Sequence, residues 1–234
     1  GYHEFPPESE KLVLSLSGGM GGKGKLVCDD GLEVPKNHTQ SWDGDLIEGE
    51  PLTSYLYDPN DPTPSVGGST FNPWNSGVVD SRRLESRDDV IIFTSSPLAL
   101  AVDVVGFPSA DVTFSSDLPS ADLVIRMSDV SPDGKSTNIC DGHVRVNLPI
   151  NTPSLVSVKL GGCAHRFMPG HRIRLSACSG AHPCVSRNLG TLDALGEGVA
   201  CVAGMMNVHH GGEALASRIN LPVCRGTGWP IPPP

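Results

Sequence analysis

The densest group of potential metal ligands in the sequence is formed by His209, His210 and Glu213. Metal sites on β-strands commonly use two histidines separated by one residue, because alternate side chains of a strand point to the same face. Adjacent histidines point to opposite faces, so at most one of this pair could bind a metal ion. Exposed imidazoles at the end of a strand are the simpler interpretation. We therefore predict no metal site.

A second group of ionisable side chains lies between residues 165 and 187. It consists of His165, Arg166, His171, Arg172, Arg174 and Arg187. Arg172 and Arg174 share one face of a predicted strand, and their alternation with apolar residues makes that face the outer one. An anion site could form there, but a solvated or partner-facing surface is the more common arrangement. We expect His165 and His171 to form salt bridges or to be exposed.

No pattern typical of a hydrolytic nucleophile is present. The nucleophile elbow of α/β-hydrolases requires G-x-S-x-G, because the glycines permit the strained turn that exposes the serine. Ser17-Gly18-Gly19 and Gly68-Ser69-Thr70 are the nearest segments, and each lacks part of this pattern. A Ser-His-Asp triad built from distant residues remains open, since such triads are spatial. The sequence predicts no catalytic residue.

The glycine-rich stretch Gly18–Gly24 matches a phosphate-binding loop only in part. Gly19 and Gly24 have the required spacing and Lys25 follows, but Leu26 occupies the position where a Ser or Thr would bind magnesium. The next residues are typical of a strand rather than a helix. We expect a hairpin loop here, and we predict no cofactor.

Composition limits the function classes further. The 234 residues include 27 Gly and 21 Pro spread along the chain, which favours many short strands over a helical bundle. With 17 basic and 26 acidic residues the net charge is −9, whereas nucleic-acid binding requires positive charge. No apolar run is long enough for a transmembrane helix, so we predict no membrane partner. The 7 cysteines lack a C-x-x-C pair and favour free thiols, and we expect a cytoplasmic protein.

Alternation of apolar and polar residues predicts the elements that position these groups. Strands are predicted at residues 11–17, 25–28, 90–93, 122–129, 143–148, 156–160, 172–177 and 218–223. A turn is predicted at Pro132-Asp133-Gly134, and a two-residue hairpin at Asp141-Gly142. About ten strands with little helix indicate an all-β protein, and a jelly-roll sandwich is the predicted architecture.

Prolines concentrate between Pro51 and Pro73 and argue against ladder hydrogen bonding there. We expect residues 55–87 to form a loop that Tyr and Trp side chains hold on the surface. The predicted organisation has three parts: lead-in strands and loops at 1–50 that could belong to the same sandwich, a proline-rich arm at 51–88, and a jelly-roll body at 89–234.

The order of several segments is similar to that of a known family. In chain order the segments are SYLYDPNDPTPSVGG at 54–68, ESRDDV at 85–90, FTSSPL at 93–98, VVG at 104–106, ADLVIRMSDVSPDG at 121–134, DGHVR at 141–145, PGHRIRL at 169–175, RNLGT at 187–191 and SRINLPV at 217–223. Together they cover residues 52–223, and they resemble the C-terminal domain of the X-Pro dipeptidyl-peptidase and cocaine-esterase-like (CocE/NonD) serine hydrolases. Two segments depart from the pattern: Asn188–Thr191, where relatives tend to read Asn-x-Asn-Thr-Gly, and the cysteine-rich stretch Cys178–Cys184.

The resemblance implies a galactose-binding-like jelly roll, in agreement with the alternation. In this family the Ser-Asp-His triad lies in an α/β-hydrolase domain that precedes this one, and no position here matches a catalytic motif. We therefore expect a fragment of a longer protein: the non-catalytic C-terminal β-domain, inactive alone, of a serine hydrolase acting on esters, amides or X-Pro peptides. It would pack on the catalytic domain of the same parent chain and shape the substrate cleft. Contacts within a homo-oligomer are a further expectation.

Two other functions remain open on the sequence. An independent carbohydrate-binding jelly roll would need exposed aromatic rings, but the available ones lie near the arm rather than on a strand face: Trp42, Tyr55, Tyr57 and Trp74. A metal-dependent jelly-roll enzyme would need a bound metal. If a catalytic domain normally covers one face, that face should carry a larger apolar patch than a monomer usually exposes.

Overall fold

The computed structural model describes residues 6–28, 51–70, 74–193, 196–210 and 216–224. These residues form thirteen strands: β1 Glu10–Ser17, β2 Lys23–Cys28, β3 Leu52–Tyr57, β4 Ile91–Ser95, β5 Val102–Gly106, β6 Ser109–Ser116, β7 Ala121–Val130, β8 Ser136–Val146, β9 Ser154–Lys159, β10 Cys163–Phe167, β11 Arg172–Cys178, β12 Gly204–His209 and β13 Arg218–Val223. Helix is limited to α1, Arg82–Glu85, and a 3₁₀ turn at Met20–Gly22. The predicted all-β class is confirmed, with thirteen strands instead of about ten. Within the described residues no helix is long and apolar enough to cross a membrane.

Hydrogen bonds join the strands in one continuous path. Its order is β3-β12-β6-β13-β1-β2-β4-β11-β7-β8; β9 pairs with β6, and β5 pairs with β10 and β13. The pairs are antiparallel except for β2 with β4. β1 and β2 pair with β13 and β4, so the first described residues belong to the same sheet as the later strands. The jelly-roll arrangement and the division at residues 50 and 88 stay predictions.

The core lies where the alternating apolar side chains point inward. Its largest fully buried members include Phe93, Phe114, Leu123, Ile125 and Leu175. All eight segments predicted as strands form strands at or near the expected positions. The predicted turn after Pro132 is also present, since the Gly134 amide donates to the Ser131 carbonyl at 2.8 Å.

The hairpin predicted at Asp141-Gly142 is wrong. Strand β8 runs through both residues without interruption and pairs with β7 on either side of them. Gly142 is required for a different reason, because a Cβ atom there would overlap the carbonyl oxygen of Lys159. The glycine therefore marks a close approach of two backbones rather than a turn.

The loop expected at residues 55–87 begins with a strand. β3 pairs along its whole length with β12, and the inward side chains of Tyr55 and Tyr57 are buried. Pro51 and Pro59 stand just outside β3, so neither removes a ladder hydrogen bond from it. Tyr55 and Tyr57 thus lie on a strand face in the core, and Trp42 lies outside the described residues.

Candidate functional site

Part of the segment that joins β3 to β4 packs on the outer face of the sheet. Its described residues, 58–70 and 74–90, are called the crossing segment below. Its side chains Leu84 and Val90 pack against Val124 of β7 in a second buried cluster, separate from the main core. The other members are Ile92, Cys178 and Ala181, with Val66 and Val185 packed against them. β7, predicted to be half-buried, is buried on both faces along all ten residues, and this cluster covers Val124 at its centre.

Ion pairs and hydrogen bonds fix both ends of the crossing segment to each other. The Thr63 hydroxyl donates to Asp89 Oδ2 at 2.7 Å, and Arg87 Nε donates to Asp89 Oδ1 at 2.6 Å. Arg87 also contacts the Asp61 carboxylate at 3.1 Å. The hydrogen bond to Asp89 raises the pKa of Arg87 above its ordinary value. The expectation that this region is held on the surface is confirmed for its described ends, where charged and hydroxyl groups supply these contacts.

Helix α1 is anchored by a buried ion pair. Glu85 Oε2 accepts a hydrogen bond from Arg174 Nη1 at 2.7 Å, and Glu85 Oε1 accepts one from the Ser136 hydroxyl at 2.6 Å. Only 3% of the Glu85 side chain is exposed. The pair fastens the crossing segment to β11, and Ser136 fastens it to β8.

A tip loop, described at residues 67–70 and 74–79, extends from the crossing segment. Gly67 and Gly68 both have positive φ, and Gly68 forms a β-bridge with Gly77. Asn138 of β8 holds the returning part of the loop: its Oδ1 accepts from the Val79 amide at 2.7 Å, and its Nδ2 donates to the Gly77 carbonyl at 3.0 Å. A rigid base therefore supports a loop that exposes two apolar side chains: Trp74 (93% exposed) and Val78 (77% exposed).

A surface cleft of about 850 Å³ separates the glycine-rich turn from α1. One side is lined by Gly19, Gly21, Gly22 and Lys23. Charged residues line the other: Arg82, Glu85, Arg87, Asp88 and Arg174. The 3₁₀ turn leads into strand β2, which contains Lys25, so the glycine-rich segment does not open a helix as a P-loop would. The backbone groups and charged side chains that line this cleft are suited to contact a polar surface of a partner.

A second polar network fixes the loop after β11. Arg145 binds the buried Asp122 carboxylate through two hydrogen bonds of 2.7 and 2.8 Å, and Asn188 Nδ2 donates to it at 3.0 Å. Burial alone would raise the pKa of Asp122, but the hydrogen bonds from Arg145, His143 and Asn188 outweigh it and hold the pKa below its ordinary value. Asn188 also accepts from the Gly190 amide, which orders the segment that departs from the family pattern.

The adjacent histidines have separate partners, as expected of opposite strand faces, but the expectation of exposed imidazoles is wrong, because His209 is buried and His210 is half-buried. His209 Nε2 is hydrogen-bonded to Ser115 Oγ at 2.8 Å, and His210 Nε2 to Thr53 Oγ1 at 2.8 Å. Burial lowers the pKa of both rings, that of His210 to about 4. Glu213 lies outside the described residues. Across the described ranges, no three His, Cys, Asp or Glu side chains are grouped so that they could hold a metal ion.

The basic group between residues 165 and 187 is dispersed over separate partners. His165 and His171 both contact the Asp129 carboxylate, at 2.9 and 2.8 Å, which confirms the predicted salt bridges. Arg174 lies on the outer face as predicted, but that face is covered by the crossing segment instead of facing solvent. The remaining arginines each have a partner of their own: Arg166 with Asp103, Arg172 with the Ser95 carbonyl, and Arg187 with the Pro59 carbonyl.

Sequence reasoning did not single out Glu85, Asp122 or Asn138, although each fixes a loop. Asp122 and Arg145 are directly opposite in the β7–β8 register, so their opposite charges are a signal of pairing. That signal becomes usable only when the register is known, and the incorrect hairpin at Asp141-Gly142 concealed it.

Comparison with known proteins identifies relatives of the whole described fold. The family model described as "X-Pro dipeptidyl-peptidase C-terminal non-catalytic domain" matches residues 1–219. Cocaine esterase from Rhodococcus sp. (strain MB1 Bresler) is 32% identical over 188 residues, which make up 75% of this chain and 33% of the esterase. The chain therefore spans about a third of the length of this curated relative.

Solved structures show the same fold within larger chains. An aminopeptidase from a marine sediment Thaumarchaeota archaeon aligns with a TM-score of 0.76 at 21% identity, covering 95% of this chain and 38% of that one. An α-amino acid ester hydrolase aligns with a TM-score of 0.69 at 22% identity, covering 90% and 36%. A CocE/NonD family hydrolase from Staphylococcus aureus aligns with a TM-score of 0.58 at 12% identity, covering 95% and 38%. The family match over residues 1–219 and this shared fold lead to one conclusion: the chain belongs to the family of X-Pro dipeptidyl-peptidase C-terminal non-catalytic domains.

Proposed function

We propose that this chain packs against an α/β-hydrolase catalytic domain of the same parent protein and helps to shape its substrate cleft. The family match over residues 1–219 carries this proposal. The relatives named as esterase, aminopeptidase and ester hydrolase are about three times longer than the matched part, which leaves room for such a domain. The parent would form an acyl-enzyme on a serine of the catalytic domain and then hydrolyse it. Its substrates would be esters, amides or X-Pro peptides.

We assign the crossing segment to one wall of the substrate cleft of the parent protein. Ion pairs at residues 61–63 and 87–89, the Glu85–Arg174 pair and Asn138 hold it rigidly. The tip loop nevertheless exposes Trp74 and Val78, which would gain free energy from burial against another surface. A rigid support with exposed apolar side chains is suited to forming one wall of a cleft.

A pair of substitutions in the parent protein tests this role. Replacing Trp74 and Val78 together by Ala should lower kcat/KM about tenfold for an ester with a bulky acyl group, and much less for an acetyl ester. The melting temperature of this chain alone should change little, since both side chains are exposed in it. Val199→Ala is the control, because this side chain is 97% exposed and lies outside the crossing segment. Equal effects on both esters, or none, would exclude the tip loop from the cleft.

The alternative of an independent carbohydrate-binding module has less support. In the described part of the chain the exposed aromatic rings are Trp74 and Phe107, and both lie in loops rather than on a sheet face. Titration with oligosaccharides while following Trp fluorescence would decide, and saturable binding below millimolar concentration would favour the alternative. A homo-oligomer stays a prediction, which light scattering of the parent protein would test.

A further inference from the structure

Two of the seven cysteines meet at the edge of the main core. Cys140 points inward from β8 opposite Met127 and is buried. Cys163 is the first residue of β10, is partly buried and packs against the same core cluster. Both side chains pack on the same core cluster, and the chains that carry them are in main-chain contact, so the two thiols are neighbours. The contact joins strands that do not pair with one another.

The backbone around the two cysteines keeps them in contact. The Gly161 amide donates to the Asp141 carbonyl at 3.0 Å, so the chain just before Cys163 is tied to the residue after Cys140. Gly142 allows the Lys159 carbonyl to approach β8 more closely than any larger residue would permit. The thiol pair is therefore placed by main-chain contacts on the C-terminal side of Cys140 and on the N-terminal side of Cys163.

We propose that Cys140 and Cys163 are an oxidation site that forms a reversible disulfide when the protein meets a low-molecular-weight disulfide. The Cys163 thiolate attacks one sulfur of the small disulfide, forms a mixed disulfide and releases one small thiolate. The Cys140 thiol then loses its proton and attacks the Cys163 sulfur, which releases the second small thiolate. The two cysteines are oxidised, and the small disulfide is reduced to two thiols.

The pKa and the accessibility of each thiol determine the order of these steps. The interaction with Cys140 lowers the pKa of the Cys163 thiol, and Cys163 is the more accessible of the two. The same interaction, together with burial, raises the pKa of Cys140, which suits it to react second. Two other thiols are hydrogen-bonded to backbone carbonyls instead: Cys178 Sγ donates to the Gly180 carbonyl, and Cys224 Sγ donates to the Glu8 carbonyl.

Oxidation would link β8 and β10, which do not pair with each other in the sheet. β8 is the last strand of the hydrogen-bonded path and pairs only with β7 among the named strands, whereas β10 pairs with β5. A link between them closes a loop of about two dozen residues, which restricts the unfolded chain. We therefore expect the oxidised protein to melt about 5 °C higher than the reduced protein.

Oxidised glutathione is the probe for the test, with the complete chain as the sample. Trypsin cuts between the two cysteines at Arg145 and Lys159, so a disulfide appears as two linked peptides, residues 136–145 and 160–166. We expect this linked pair, an intact mass lower by two hydrogen atoms, the higher melting temperature, and reversal of all three by dithiothreitol.

Substitutions separate this reaction from general thiol oxidation. Cys163→Ser should abolish both the linked peptides and the thermal shift, whereas Cys184→Ser, which alters an exposed thiol, should retain them. If Cys163→Ser does not fold, peptide mapping of the unsubstituted chain still decides. Glutathione left attached to Cys163 without a link, a link to another cysteine, or no reaction in excess reagent would each overturn the proposal.

Discussion

At the scale of single residues, Arg174 and Arg82 offer a matched comparison. Each guanidinium forms a short ion pair with a carboxylate, at 2.7 Å to Glu85 and at 2.6 Å to Asp80. Arg174→Ala should lower the free energy of unfolding by about 3 kcal/mol, because it leaves the Glu85 carboxylate buried without its cation. Arg82→Ala should have no measurable effect, because that pair is solvated. Urea denaturation of both variants checks this, and similar effects would mean that the crossing segment does not bury Glu85.

The pH dependence of stability should report on Asp122. Its pKa lies below the ordinary 3.8, so its stabilising effect is complete above that pH and is lost as the pH falls through the folded-state pKa. Asp122→Asn should cost about 3 kcal/mol at pH 7, and the difference from the wild type should shrink below about pH 4. Urea denaturation between pH 7 and pH 3 measures this difference. The control is Asp88→Asn, which removes an exposed charge; a gap that stays constant with pH would contradict the assignment.

Gly142 gives a test of the close approach between β8 and the segment after β9. Gly142→Ala should destabilise the protein by about 2 kcal/mol, because its Cβ would overlap the Lys159 carbonyl and force the backbones apart. Gly161→Ala lies on the other side of the same contact and should be neutral, since its Cβ would be 3.7 Å from the Asp141 carbonyl. Thermal unfolding compares the two. A neutral Gly142→Ala would favour the hairpin over a continuous β8.

At the scale of elements, Asp89 joins both ends of the crossing segment. Asp89→Ala removes the acceptor of the Thr63 hydroxyl and the principal partner of Arg87. We expect faster amide hydrogen exchange within residues 58–70 and 74–90, with little change in β7 and β8, because the main core is untouched. Ser54→Ala is the control, since it removes an exposed hydrogen bond from β3. Uniformly faster exchange throughout the protein would show that the crossing segment is no separate unit.

Strands could be predicted where alternation is clean, as in β9, β11 and β13. The sequence could not show β3, because prolines near both ends resemble loop composition although none enters the strand. Nor could it show that the outer side chains of β7 are buried, since Asp122 and Arg126 have the polarity of solvent-facing residues. The partners of Asp122 include Asn188, and Val124 is covered by Leu84 and Val90; these residues are distant in sequence, and alternation carries no information about such contacts.

At the scale of the whole molecule, the order of short segments predicted the family, whereas no single segment did. Composition and alternation predicted the all-β class from local preferences. The polar anchors of the crossing segment depend on register and on distant pairing, so they could be found only in the structure. The chain spans about a third of the length of its curated relative.

Under the proposed function, the catalytic serine of the parent protein lies outside this chain. Labelling with a fluorophosphonate that modifies activated serines tests it most directly, with the parent protein and this chain treated in parallel. Mass spectrometry should find one labelled serine in the catalytic domain of the parent and none in these 234 residues. A labelled serine within this chain, together with ester hydrolysis by the chain alone, would contradict the account.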